Sequence, residues 1–86
     1  MQGIWIKGQG ELGLVLATRL LICLEDREND LWSIREISKE KHVILGEYGT
    51  KERCKKILED IYLRIQINDI EKIPYFTMPE DNTYIG

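Results

Sequence analysis

"LGLVLATRLLICL", residues 12–24, decides the fold. At a helical period, Leu12, Val15, Leu16, Leu20, Cys23 and Leu24 share one face. At a period of two, Leu12, Leu14 and Leu16 alternate with Gly13, Val15 and Ala17. Beyond Thr18, Leu20, Ile22 and Leu24 alternate with Arg19, Leu21 and Cys23. Periodicity alone leaves both readings open. Gly13 inside the run costs a helix about 1 kcal/mol, so the expectation is two short strands, or one strand bent near Ala17-Thr18. The run is too short to span a bilayer and contains Arg19.

Upstream, Ile4-Trp5-Ile6-Lys7 is β-branched and aromatic and reads as a strand, with Gly8-Gln9-Gly10 as a turn. Downstream, residues 25–30 hold no apolar side chain and read as an exposed hairpin loop closed by Asn29-Asp30. Leu31–Ser38 and His42–Tyr48 read as further strands joined by the polar turn Lys39-Glu40-Lys41. In the first of these, Trp32 and Ile34 share a face. In the second, Val43 and Leu45 oppose Ile44, Gly46 and Tyr48. Short polar turns between successive strands imply an antiparallel meander.

Thr50–Ile67 reads as the helix. Cys54, Ile57, Leu58, Ile61, Tyr62 and Ile65 form one apolar stripe. Glu52–Lys56 and Asp60–Arg64 are i, i+4 pairs, each contributing a few tenths of a kcal/mol. Pro74 excludes a helix at its position, Tyr75–Met78 can be extended, and the chain ends acidic. The expected architecture is α+β: an antiparallel sheet of three to five strands with one long amphipathic C-terminal helix on one face. It forms a single domain over residues 1–79, followed by a flexible acidic tail over residues 80–86.

The chain has 86 residues, enough for one domain. Its 43 % hydrophobic and 31 % charged content fits a folded protein. Twelve Lys and Arg against fifteen Asp and Glu give a net charge of −3, which argues against a dedicated nucleic-acid binder. Met1-Gln2-Gly3 lacks the charged start and apolar core of a secretory signal. Cys23 and Cys54 therefore read as reduced, buried thiols of a cytoplasmic protein.

Three blocks resemble a known group: "IWIKGQ" (4–9), "VILGEYGTKERCKKILEDI" (43–61) and "YFTMPED" (75–81). They are similar to small proteins encoded by prophages and conjugative elements of low-GC Gram-positive bacteria. The resemblance covers most of the chain and implies an α+β domain in a mobile-element setting. It implies no activity and transfers no catalytic residue.

The motifs point away from catalysis. Gly46-Glu47-Tyr48-Gly49-Thr50-Lys51 superficially suggests a phosphate loop. Its spacing is two residues short of G-x-x-x-x-G-K-[ST], its Thr and Lys are reversed, and Glu47 would repel a phosphate. It reads instead as a strand-to-helix junction with Gly49 or Thr50 as N-cap. If Gly49 is the cap, Glu52 is the third helical residue. The pairs Glu25-Asp26, Glu59-Asp60 and Glu80-Asp81 are sequence neighbours and read as solvated charge. His42, the only histidine, reads as exposed. The basic residues are interleaved with acids, as on an ordinary surface. No catalytic, metal-ligating or cofactor-binding residue is assigned, and no cofactor.

Protein contact is the remaining class. If the first strand alternates, Trp5 faces away from Ile4 and Ile6, and one set must find cover outside a single layer. A helix on one face of a sheet leaves the other face for a second copy or a partner. Edge pairing through Ile4–Lys7 or Tyr75–Met78 is a second route. Candidate interface residues are Trp5, Trp32, Tyr48, Phe76 and Met78. The expected function is that of a small, non-enzymatic accessory protein that binds an unknown protein, with itself as one option. A nucleic-acid-binding regulator and a small-molecule-sequestering protein are the alternatives.

Overall fold

The computed structural model describes residues 3–10, 12–38, 41–67 and 74–80. The fold is α+β. Seven elements follow in order: β1 (Ile4–Lys7), β2 (Leu14–Ala17), β3 (Leu20–Asp26), β4 (Leu31–Ser38), β5 (Lys41–Tyr48), α1 (Lys51–Ile67) and β6 (Tyr75–Thr77). The strands make two three-stranded sheets, β2–β1–β6 and β3–β4–β5, in place of the single sheet expected. The first sheet is mixed, because β6 runs parallel to β1. The helix is not the last element, and β1 is a central strand, not an edge.

Residues 12–24 form the corner between the sheets. Gly13 has φ 83°, a left-handed conformation that glycine adopts without steric cost and that ends the helical reading. β2 and β3 then use opposite edges. The amide of Gly8 donates to the carbonyl of Gly13, so Val15 and Ala17 turn their main-chain groups toward β1. The amide of Ile37 donates to the carbonyl of Arg19, so Leu21 and Cys23 turn theirs toward β4. Val15 and Ala17 point inward, whereas Leu20 and Ile22 take over that role in β3. The change of parity at Thr18-Arg19 moves hydrogen bonding from one edge of the strand to the other.

The core lies between the inner faces of the two sheets and α1. Ile4, Ile6, Ala17, Ile34, Leu45, Tyr48, Cys54, Ile57, Ile61 and Met78 are buried. Burying each Ile contributes about 2–3 kcal/mol. Helix α1 starts at a cap: Thr50 Oγ1 accepts from the Arg53 amide at 3.1 Å. Thr50 is thus the N-cap, and Glu52 is the second helical residue, not the third.

β5 departs from simple alternation. Ile34 pairs with Gly46 and Arg35 with Ile44, leaving Leu45 as an inserted residue. The bulge brings Val43, Gly46 and Tyr48 to one side. Gly46 is needed there: a Cβ would lie 2.7 Å from the Tyr48 hydroxyl and 3.1 Å from Met78 Cε. Tyr48 crosses over Gly46 and donates to the carbonyl of Pro79 at 2.7 Å.

Gln9 joins the two sheets, although the sequence suggests only a turn. Its amide donates to the carbonyl of Leu45 at 2.8 Å. Its side-chain oxygen accepts from the Glu47 amide at 2.6 Å, and its Nε2 donates to the carbonyl of Pro79 at 2.8 Å. The flexible tail expected over residues 80–86 lies outside the described residues except for Glu80.

Candidate functional site

The alternation of β1 builds the site. Ile4 and Ile6 are buried, so Trp5 and Lys7 project from the other side. Register then sets their neighbours. Trp5 lies between Leu16 of β2 and Tyr75 of β6, and Lys7 between Leu14 and Thr77. These six residues form a two-by-three grid on the outer face of the small sheet. All six are exposed, with Leu14 at 56 %, Tyr75 at 48 %, Leu16 at 45 % and Trp5 at 37 %. Four of the six are large apolar or aromatic side chains, and Lys7 is the only charge. Trp and Tyr are residue types enriched at interface hot spots, and the strip holds one of each.

The outer face of β3–β4–β5 is different. Arg35 Nε donates to Glu25 Oε2 at 2.6 Å, and Arg35 Nη2 donates to Glu25 Oε1. Ser33 Oγ donates to the same carboxylate. The Arg35 and Ser33 hydrogen bonds, partly offset by desolvation, hold the Glu25 carboxyl below its ordinary value of 4.5. Glu25, read from the sequence as solvated charge, is therefore part of a half-buried bidentate pair. Asp26 is held below its ordinary value mainly by the Asn29 side chain and amide. It shapes the turn that leads to Asp30, whose φ is 50°. Leu21 and Ile44 flank Arg35 on this face and are exposed.

The five candidate interface residues separate by burial. Trp5 is exposed at the centre of the grid. Tyr48 and Met78 belong to the core, at 0 % and 3 % exposure, and are corrected to structural residues. Phe76 pairs with Ile6 and packs against the core from its inner side. It also lines an open hollow of about 370 Å³ with Leu63 and Ile67. Trp32 is half-buried and already engaged: its Nε1 donates to Asp30 at 2.8 Å, and Lys51 Nζ lies 5.6 Å from its ring centroid.

Leu14, Leu16 and Tyr75 were not singled out by the sequence. Their signal was the alternation of Leu12, Leu14 and Leu16. Without knowing that β2 and β6 flank β1, it cannot be tied to Trp5.

His42 is exposed at the start of β5. Cys54 is buried and Cys23 half-buried, both free thiols. Among the described residues no group of three His, Cys, Asp or Glu could hold a metal. No described helix is long and apolar enough to cross a membrane. Compared with protein-family models, curated proteins and solved structures, the chain matches none.

Proposed function

We propose that this chain acts by binding another protein through the outer face of β2–β1–β6, as a non-enzymatic accessory protein of a mobile element. The observation that carries the reading is the exposed strip Trp5, Leu16 and Tyr75, flanked by Leu14. Leaving these side chains in water forgoes burial free energy of about 25 cal/mol per Å², which a partner recovers. The mobile-element setting rests on the resemblance of residues 4–9, 43–61 and 75–81.

Area and charge favour a different protein over a second copy. Strands of four, four and three residues present a patch of roughly 200 Å², whereas a stable interface takes about 800 Å² from each partner. The strip is thus an anchor for a partner that reaches beyond it. Lys7 is the only charged member of the grid, and two stacked copies bring it no carboxylate. A partner with an apolar strip beside an acidic residue satisfies both.

The test is gel filtration of an extract of the source cells. The wild-type chain is expected in a larger complex, with Trp5→Lys and Leu16→Lys each shifting it to the position of the 10.1 kDa monomer. Variants that fold normally yet remain in the complex would contradict the proposal.

A further inference from the structure

A cleft of about 230 Å³ opens where the chain turns from β2 into β3. Ile4, Ala17, Leu20 and Ile65 give it an apolar lining, and the exposed Thr18, Arg19 and Tyr62 complete it. Among the described residues no carboxylate lines the cleft, and none pairs with Arg19. An apolar floor therefore sits beside Arg19, which no described carboxylate pairs with. The volume equals roughly eight waters of about 30 Å³ each, enough for a branched aliphatic side chain and a carboxylate.

The backbone beside the cleft is open as well. Because Arg19, Leu21 and Cys23 face β4, the main-chain groups of Leu20, Ile22 and Leu24 point to the opposite edge of β3. Among the described residues nothing pairs with that edge. The cleft adjoins its Leu20 end, with Tyr62 and Ile65 of α1 as the facing wall. A free strand edge, a helix wall and an apolar cleft with a cation at the corner match the needs of one ligand type.

We propose that this groove takes the C-terminal end of an extended peptide from a partner protein. The peptide backbone pairs with Leu20, Ile22 and Leu24. Its last aliphatic side chain fills the cleft, and its free carboxylate lies beside Arg19. The site shares no residue with the outer face of the small sheet. It rests only on the reading that the chain works by binding protein.

The probe is a fluorescein-labelled hexapeptide of alternating Thr and Val with a free C-terminal Leu, titrated with the full chain and followed by anisotropy. Saturable binding is expected. It should weaken about tenfold or more when the C-terminus is amidated, or when exposed Arg19 is changed by Arg19→Gln. N-methylation of alternate peptide amides should weaken it similarly, which separates a peptide from any other aliphatic carboxylate. Trp5→Lys should leave it unchanged. Circular dichroism checks that each variant is folded. Equal binding of acid and amide, indifference to N-methylation, loss with Trp5→Lys, or no saturation at millimolar concentration would each overturn the proposal. None of these results bears on the complex expected in gel filtration, so the two readings fail separately.

Discussion

The outer faces of the two sheets differ at their centres. On β3–β4–β5, Glu25, Ser33 and Arg35 satisfy one another between the exposed Leu21 and Ile44. On β2–β1–β6, Trp5, Leu14, Leu16 and Tyr75 project with no polar network among them. Both faces arise from strand alternation, broken in the larger sheet by the Leu45 bulge, and both inner faces meet the same core. The difference therefore lies at the middle of each outward face: a hydrogen-bonded Glu25–Ser33–Arg35 cluster in one sheet, and Trp5 among Leu14, Leu16 and Tyr75 in the other. The proposed binding role rests on that apolar cluster.

The contrast can be broken most forcefully inside β1. Ile6→Ala should cost about 2–5 kcal/mol in urea unfolding, whereas the larger truncation Trp5→Ala should cost less, about 1–2 kcal/mol. Comparable losses would mean that Trp5 is packed, and the apolar face would vanish. Next comes the joint between the sheets. Gln9→Ala removes the acceptor of the exposed Glu47 amide and one of two donors to the Pro79 carbonyl. It should destabilise by about 0.5–1.5 kcal/mol, with amide exchange at Glu47 rising along with it.

Glu25→Gln tests the polar face and should cost about 1 kcal/mol at neutral pH. The folded-state carboxyl is held below its ordinary value of 4.5. Its contribution is therefore fully present above the ordinary value and is lost as pH falls through the lowered one. The wild type should lose stability faster than the variant over that acid range. Parallel acid limbs would remove the pair from the account. The smallest effect is expected for Leu16→Lys: an unfolding free energy within about 0.5 kcal/mol of wild type, as for a surface position. A large loss would place Leu16 in the core.

Much of this arrangement was legible in the sequence, for local reasons. The stripe from Cys54 to Ile65 fixes α1 within a residue, and Gly13 tips residues 12–24 toward strands. Alternation places Ile4 and Ile6 against Trp5. What escaped depends on distant partners. Pairing of β6 with β1 spans about seventy residues and leaves no periodic trace. The Leu45 bulge reverses the sides of Gly46 and Tyr48, so Tyr48 became a surface candidate when it is core. Gln9 sits in a glycine turn, and its side chain acts through main-chain groups at Glu47 and Pro79. Trp5 was recoverable from alternation, but Leu14, Leu16 and Tyr75 needed the register.

The central claim is that Trp5 sits at the centre of a protein-binding face and that the opposite sheet does not share this role. A photo-crosslinking benzoylphenylalanine placed at position 5 or at position 21, on the outer faces of the two sheets, tests it inside the source cells. The account predicts a discrete protein adduct from position 5, abolished by Leu16→Lys, and none from position 21. The same adducts from both positions, or none from position 5, would contradict it.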